Sequence, residues 1–77
     1  MGEPAGFNAA KEALAVQLRF LRGQAGLTQE DAAGLVGIRW RHLQRVEAAE
    51  INVTLRTLQR FANAYGVRVP ELLSGLD

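Results

Sequence analysis

Apolar residues recur along most of the chain at the three- and four-residue spacing of amphipathic helices. The clearest run lies near the N-terminus and consists of four residues on one helix face, Leu14, Leu18, Leu21 and Ala25. This run predicts a helix over residues 8–24, with Asn8 as its N-cap. Alternation with a period of two, which indicates strands, is missing from the sequence, so the chain is predicted to be all-α.

Capping residues and glycines divide the rest of the chain into four further helices. Thr28 and Thr54 are typical N-caps, and a glycine follows each of the two helices that they begin. Between these two helices lies another, whose inner face is formed by Leu43 and Val46, three residues apart. Pro70 fits the first turn of the last helix. The five predicted helices span residues 8–24, 29–36, 40–48, 55–65 and 70–73. The predicted buried side of the fourth consists of Leu55, Leu58, Phe61, Ala62 and Tyr65.

The length of the chain, 77 residues, is enough for one domain. Proline and glycine in the first six residues predict a flexible N-terminal arm over residues 1–7. The single domain is expected over residues 8–74, followed by a tail over residues 75–77. A chain of this size buries only about 60% of its unfolded surface, so it gains stability from a partner.

The composition excludes several classes of site. The chain has no cysteine, one histidine (His42), one serine (Ser74) and one lysine (Lys11), which leaves no stock for a disulfide, a thiolate metal site or a catalytic triad. We therefore expect no enzyme activity, no cofactor and no metal, with His42 on the surface or at the rim of the core. The sequence has no long apolar run, secretory signal or myristoylation pattern, which predicts a cytoplasmic protein without a membrane partner.

The positive charge is concentrated in one segment. The formal net charge is only +1, but residues 36–46 contain Arg39, Arg41 and Arg45 and no acid. An anionic partner senses local charge within a screening length of about 8–10 Å, so this segment matters more than the net charge. A solvated helix face is the alternative. Trp40 among the arginines favours a contact surface.

Two short helices joined by a turn with Gly37 at its centre, the second of them basic, are typical of a helix-turn-helix. The sequence resembles the Cro/C1-type (XRE) helix-turn-helix family of phage and bacterial repressors over residues 14–73. The residues that carry the resemblance lie at positions 18–22, 26–33, 36–38, 43, 46–47, 54–58 and 65–73. The resemblance implies a five-helix, lambda-repressor-like DNA-binding domain in which helices 2 and 3 form the helix-turn-helix.

Five positions depart from the family pattern, and the departures at Ala49 and Val53 do not threaten the fold. Ala32 stands where leucine is usual, so we expect a slightly underfilled core or one in which Trp40 or Phe20 fills the space. Arg39 and Arg68 stand at N-cap positions where serine or threonine is usual. Arginine cannot cap in that way, which costs each helix about 0.5–2 kcal/mol unless another group serves.

The resemblance also implies which residues contact DNA, through a third helix in the major groove. Those expected to reach base edges are Trp40, Arg41, Gln44 and Arg45. Arginine can donate two hydrogen bonds to guanine and glutamine can pair with adenine, whereas Trp40 packs on a thymine methyl, on the DNA backbone or inward over Ala32. Those expected to bind phosphates are Thr28, Gln29, Arg39, Asn52, Thr54 and Arg56. Arg22 and Glu47 are expected to form a buried structural ion pair.

One recognition helix covers about four or five base pairs, so a homodimer on an inverted-repeat operator in double-stranded DNA is expected. The candidate dimer interface consists of Phe61, Tyr65, Val67, Val69, Leu72 and Leu73. The predicted function is a transcriptional regulator, a repressor or an autoregulatory controller like those of restriction–modification systems. The alternative is an antitoxin or another protein-interaction module, with a protein partner encoded nearby. The basic third helix favours DNA binding.

Overall fold

The computed structural model describes residues 2–74, and within them the chain forms five α-helices and no strand. The helices are α1 (Phe7–Gln24), α2 (Gln29–Val36), α3 (Trp40–Glu47), α4 (Leu55–Tyr65) and α5 (Val69–Leu72). The predicted all-α, lambda-repressor-like fold is confirmed, and the predicted ends of the helices differ from these by one residue at most. Met1 and the predicted tail over residues 75–77 lie outside the described residues.

The core lies where α1, α2, α3 and α4 converge, and α5 closes it from one end by packing against α4 and α1. The four completely buried apolar residues with the largest side chains are Leu18, Leu43, Phe61 and Leu72. They come from four different helices, so the core forms only when these helices pack together. Because α3 packs against both α1 and α2, its orientation is set by the whole core.

The two threonine N-caps form as predicted. Thr28 Oγ1 accepts a hydrogen bond from the Asp31 backbone nitrogen at 3.0 Å, and Thr54 Oγ1 accepts one from Thr57 at 3.1 Å. Each bond satisfies one of the backbone N–H groups that the first turn of a helix leaves without a partner. The start of α2, and hence of the helix-turn-helix, is therefore encoded locally.

The predicted cap at Asn8 is wrong. The helix begins one residue earlier, at Phe7, and Gly6 occupies the cap position in a left-handed conformation with φ of 84°. The Gly6 carbonyl accepts the first helical bond from Ala10 at 2.9 Å, while the Phe7 nitrogen bonds to the Pro4 carbonyl at 3.1 Å. Glycine tolerates this conformation, which allows the turn before α1 to form.

The two arginines at N-cap positions have different outcomes. Neither the Arg39 nor the Arg68 side chain caps its helix. At Arg68 a substitute exists, because Glu71 Oε1 accepts a hydrogen bond from the Arg68 backbone nitrogen at 3.2 Å. The first turn of α3 receives no cap from the Arg39 side chain, so its N–H groups stay available to solvent or to an anion.

Several predicted core positions are exposed. Leu55 is 78% exposed because it is the first residue of α4, and Ala25 is exposed because it follows the last residue of α1. Trp40 and Phe20 are 48% and 56% exposed, so the expectation that one of them fills the space beside Ala32 is wrong. Ala32 itself is completely buried, which is consistent with α2 and α3 lying close together.

The turn between α2 and α3 depends on a left-handed residue. Gly37 has φ of 85°, and its nitrogen and that of Ile38 both bond to the Ala33 carbonyl, at 2.9 and 3.1 Å. Arg60 Nη1, from α4, donates to the Gly37 carbonyl at 3.0 Å. After α3 the chain turns again at Ala49, where φ is 59°. Left-handed residues therefore bracket α3 on both sides and fix its length.

We expect Gly37→Ala to destabilise the protein by about 1–2 kcal/mol, because a side chain disfavours positive φ. A Cβ at this position would also lie 3.1 Å from Arg60 Nη1. Gly34→Ala is the matched control, since Gly34 lies inside α2 and a Cβ there meets nothing within 4 Å. The control should stabilise the protein by about 1 kcal/mol. Urea unfolding measures both, and equal shifts for the two variants would contradict the account of the turn.

Candidate nucleic-acid interface

The outer face of α3 gathers all the residues predicted to contact bases. Leu43 and Val46 are buried and fix the inner face of this helix to the core. The residues on the outer face are exposed, and they are Trp40, Arg41, Gln44 and Arg45. The structure thus brings an indole, an amide and two guanidinium groups together on one accessible surface of an eight-residue helix.

The charge of this surface is weakly compensated. Arg45 Nε lies 3.9 Å from Glu50 Oε1, and both side chains are exposed. An exposed pair at this separation contributes little and is screened by salt, so the Arg45 guanidinium can exchange Glu50 for another acceptor. Arg39 and Arg41 are also exposed. The start and the outer face of α3 therefore present a basic surface.

The C-terminal end of α3 is held by the carboxylate of Glu47, a residue that is only 2% exposed. Its Oε2 accepts a hydrogen bond from Arg22 Nε at 2.8 Å, and its Oε1 accepts one from Gln29 Nε2 at 3.0 Å. Arg22 Nη1 also donates to the Leu27 carbonyl at 3.0 Å, and Arg19 Nη1 donates to the Glu47 carbonyl. One acidic side chain therefore ties α3 to both α1 and α2, and the Arg22–Glu47 pair has the geometry expected of it.

Gln29 differs from its predicted role. The resemblance implies that this side chain binds a DNA phosphate, but in the structure it is half-buried and its amide nitrogen bonds to Glu47. The physical reason is that a buried carboxylate needs donors for both oxygens, and Arg22 reaches only one. Gln29 in this conformation belongs to the support of α3.

The hydrogen bond to Glu47 raises the pKa of Arg22, so this guanidinium stays charged at all accessible pH values. Tyr65 lies close enough to Glu47 and Arg22 for both charges to affect its pKa. Burial raises the pKa of Tyr65 to about 12, Glu47 acts in the same direction and Arg22 opposes them. The Tyr65 hydroxyl is buried and finds no hydrogen-bond partner among residues 2–74.

The other predicted phosphate-binding residues remain exposed, and they are Thr28, Arg39, Asn52, Thr54 and Arg56. Two of them already serve the fold, since Thr28 and Thr54 cap α2 and α4. The Thr54 hydroxyl additionally donates to Thr57 Oγ1 at 3.1 Å. Asn52 lies at the edge of an apolar cavity of about 140 Å³ between α1 and the segment after α3. Their contact with DNA stays a prediction.

Part of the predicted dimer interface is wrong. Phe61 and Leu72 are completely buried, because the inner face of α4 and the short α5 close the core of the single chain. Neither side chain is available to a second copy. The candidates that keep some exposed surface are Tyr65, Val67, Val69 and Leu73.

Sequence reasoning missed two arginines that support the site. Arg60 bonds to the turn carbonyl of Gly37, 23 residues away in sequence, and Arg19 bonds to the Glu47 carbonyl, 28 residues away. No local signal identifies such contacts, because every residue has a backbone carbonyl and the residue types therefore do not show which carbonyl accepts the bond.

The described residues contain neither a candidate metal-binding cluster nor a candidate membrane-spanning helix. Residues 2–74 contain no group of three His, Asp or Glu side chains that could hold a metal ion, and His42 is half-buried at the edge of α3. Among the same residues, none of the helices combines the length and the apolar character needed to cross a membrane.

We expect Glu47→Ala to lower the free energy of unfolding by about 2–4 kcal/mol, because it leaves the Arg22 guanidinium and the Gln29 amide without their acceptor. The Arg22 side chain is 21% exposed, which keeps the loss below that of a fully buried pair. Glu50→Ala removes an exposed acid and should change stability by less than about 0.5 kcal/mol. Urea unfolding compares the two, and a wild-type midpoint for Glu47→Ala would contradict the proposed anchor.

Tyr65 generates a pH-dependent difference in stability. Its pKa is about 12 in the folded chain against an ordinary value of 10.0, so the folded state holds the phenolic proton more tightly. This contribution is intact below pH 10 and is lost as the pH rises from 10 through 12. Tyr65→Phe lacks the proton and should lose less stability over that window. It also removes an unpaired buried hydroxyl, so we expect it to be about 1 kcal/mol more stable at pH 7.

Urea unfolding at pH 7, 9 and 11 measures this effect as the difference between wild type and Tyr65→Phe. The subtraction cancels the groups that titrate equally in both proteins. Parallel pH profiles for the two proteins would show that the hydroxyl is hydrated in the folded state.

Comparison with known proteins identifies the family. The family model described as a helix-turn-helix domain matches residues 13–74. The chain is 39% identical over 64 residues to the HTH-type transcriptional regulator DdrOP3 of Deinococcus deserti, and this match covers 83% of the chain and 50% of that protein. It is 41% identical over 64 residues to the control protein C.SmaI of Serratia marcescens, of which 76% is covered. The chain thus spans half the length of the first relative and about three quarters of the second.

A solved structure shares the arrangement of the helices. The chain superposes on the restriction-modification controller protein C.AhdI from Aeromonas hydrophila with a TM-score of 0.80 and 33% identity. The superposition covers 83% of this chain and 97% of that one. The chain belongs to the helix-turn-helix domain family, as a member of the Cro/C1 type that its sequence resembles.

Proposed function

We propose that this chain is a sequence-specific regulator of transcription that binds double-stranded DNA by inserting α3 into the major groove. The observation that carries the proposal is the outer face of α3, where exposed arginines surround Trp40 and Gln44 while the inner face is fixed to the core. The names of the relatives, a transcriptional regulator and a control protein, agree with this function.

The spacing of the two central arginines suits base contacts. Arg41 and Arg45 lie four residues apart, which puts them on one side of α3 about 6 Å apart along its axis. Each can donate two hydrogen bonds to O6 and N7 of a guanine, which discriminates against other bases by about 1–3 kcal/mol. Gln44 can pair with adenine in the same manner, and Trp40 offers an exposed apolar surface to a thymine methyl or the sugar wall. The expected half-sites therefore contain guanine.

Phosphate contacts would set the register of α3 in the groove. Arg39 is exposed beside the first turn of α3, whose N–H groups its side chain does not cap, so a phosphate there would meet both a cation and free donors. Arg56 is a second exposed cation, on α4. The exposed polar groups of Thr28, Asn52 and Thr54 complete the proposed set.

We infer a homodimer on an inverted repeat as the working unit, because one short helix discriminates too few base pairs. The proposed contact uses the half-buried apolar residues around α5, which are Tyr65, Val67, Val69 and Leu73. A two-fold dimer would set its half-sites about one helical turn apart, or 10–10.5 base pairs. Such a regulator would act on the chromosome, in the cytoplasm.

A selection from sheared DNA of the source genome tests this function. Wild type and Arg45→Ala are compared at about 150 mM salt, where non-specific phosphate binding is weak. We expect the wild type alone to enrich one inverted repeat. Enrichment of nothing, or of the same fragments by both proteins, would contradict the proposal and favour a protein-interaction module such as an antitoxin.

Substitutions of single arginines separate base contacts from phosphate contacts. Arg41→Ala and Arg45→Ala should each weaken binding to the selected site by about 5–150-fold while leaving the fold intact. Arg45→Lys keeps the charge but loses the two-pronged donor, so it should also lose most of the discrimination with little change in salt dependence. Arg56→Ala should weaken binding to all sequences and reduce the slope of log affinity against log salt by about 0.9.

Titrations of the selected site and of an unrelated duplex over a range of salt concentrations measure these effects. Wild-type discrimination by Arg45→Lys would show that Arg45 acts only as a charge. An equal loss of affinity for both duplexes in Arg45→Ala would indicate that Arg45 contacts a phosphate.

A further inference from the structure

We propose that Arg60 is a positioning residue for the recognition helix α3: it anchors the turn before α3 from the neighbouring helix α4. In this role Arg60 acts through the Gly37 carbonyl and makes no contact with DNA. The consequence for DNA recognition rests on the proposed function, whereas the consequence for the turn does not.

The geometry of the contact is direct. Arg60 Nη1 donates to the Gly37 carbonyl at 3.0 Å, and a Cβ at Gly37 would approach the same nitrogen to 3.1 Å. The guanidinium thus covers the one residue of the turn that has a positive φ, 85°. A side chain at this position would force the Arg60 guanidinium to shift by a few tenths of an ångström.

The end of α2 needs such a group. The last turn of a helix leaves backbone carbonyls without partners and carries a partial negative charge. The Ala33 carbonyl is satisfied by the nitrogens of Gly37 and Ile38, but the last turn of α2 contains no basic residue of its own. Arg60 supplies both the cation and the donor from α4.

The turn controls the end of α3 that carries base contacts. Only Ile38 and Arg39 separate Gly37 from Trp40, and the Arg39 side chain does not cap α3. The opposite end of α3 is held by the Glu47 network. Arg60 therefore holds the turn at the N-terminal end, where Ile38 also packs against the core, and Glu47 holds the C-terminal end.

Arg56 provides the matched control, because it lies one turn earlier on the same helix and is also exposed. A purely electrostatic role at either arginine predicts the same loss of phosphate binding from both. A positioning role predicts different losses, since only Arg60 bonds to the turn.

The first experiment needs no DNA. Arg60→Met keeps the length of the side chain but removes the donor and the charge, and amide hydrogen exchange is compared with wild type and with Arg56→Met. The Ile38 amide bonds to the Ala33 carbonyl across the turn, and the Leu43 amide bonds to the Arg39 carbonyl in the first turn of α3. Both amides should exchange about 2–10-fold faster in Arg60→Met than in wild type. Amides within α1 should not change, and Arg56→Met should match wild type. Arg60→Lys, which keeps a donor and a cation, should restore most of the protection.

The second experiment measures binding to the operator that the wild type selects and to an unrelated duplex. Arg60→Met should lower the ratio of the two affinities by about 2–10-fold, with unchanged affinity and salt slope on the unrelated duplex. Arg56→Met should keep the ratio and reduce the salt slope by about 0.9.

Equal losses on both duplexes, together with a reduced salt slope for Arg60→Met, would overturn the proposal in favour of a phosphate contact. Wild-type amide exchange in Arg60→Met would overturn it as well, since the turn would then be independent of Arg60. If the wild type selects no operator, the proposed function fails, while the exchange data still decide whether Arg60 anchors the turn.

Discussion

The carboxylate of Glu47 is the feature on which the placement of α3 depends. It is buried, and its two oxygens accept hydrogen bonds from Arg22 on α1 and Gln29 on α2. An eight-residue helix has almost no stability of its own, so α3 exists only where the surrounding helices hold it. A buried carboxylate without donors is costly, which makes any orientation of α3 that breaks these bonds unfavourable.

This anchoring explains how α3 can be polar outside and still rigid. Leu43 and Val46 supply the apolar contact, and Glu47 fixes rotation and register. At the other end Gly37 sets the turn, with Arg60 on its carbonyl. Base recognition by bidentate hydrogen bonds depends on such rigidity, because these bonds weaken steeply with angle. The exposed face can then vary for sequence specificity without changing the support.

Local sequence signals were enough to predict the helices, but they did not predict the contacts between residues that are distant in sequence. The threonine hydroxyls of Thr28 and Thr54 bond within three residues, so the positions of α2 and α4 could be predicted from the sequence. The apolar spacing also predicts that Phe61 is buried, but it does not tell whether such a residue faces the core of one chain or an interface between two copies. The inward turn of Gln29 and the contact of Arg60 with the turn depend on acceptors that only the assembled fold brings near.

The proposed function requires that the arginines of α3 contact guanines in the major groove. Protection of guanine N7 from dimethyl sulfate on the selected operator measures this directly, because N7 lies at the major-groove edge of guanine. We expect protection of guanines in two symmetric half-sites by the wild type. Arg45→Ala, at a concentration that saturates the operator, should lose protection at one guanine of each half-site. Full binding without any protected guanine N7, or the same pattern from Arg45→Ala and Arg41→Ala as from wild type, would contradict the account.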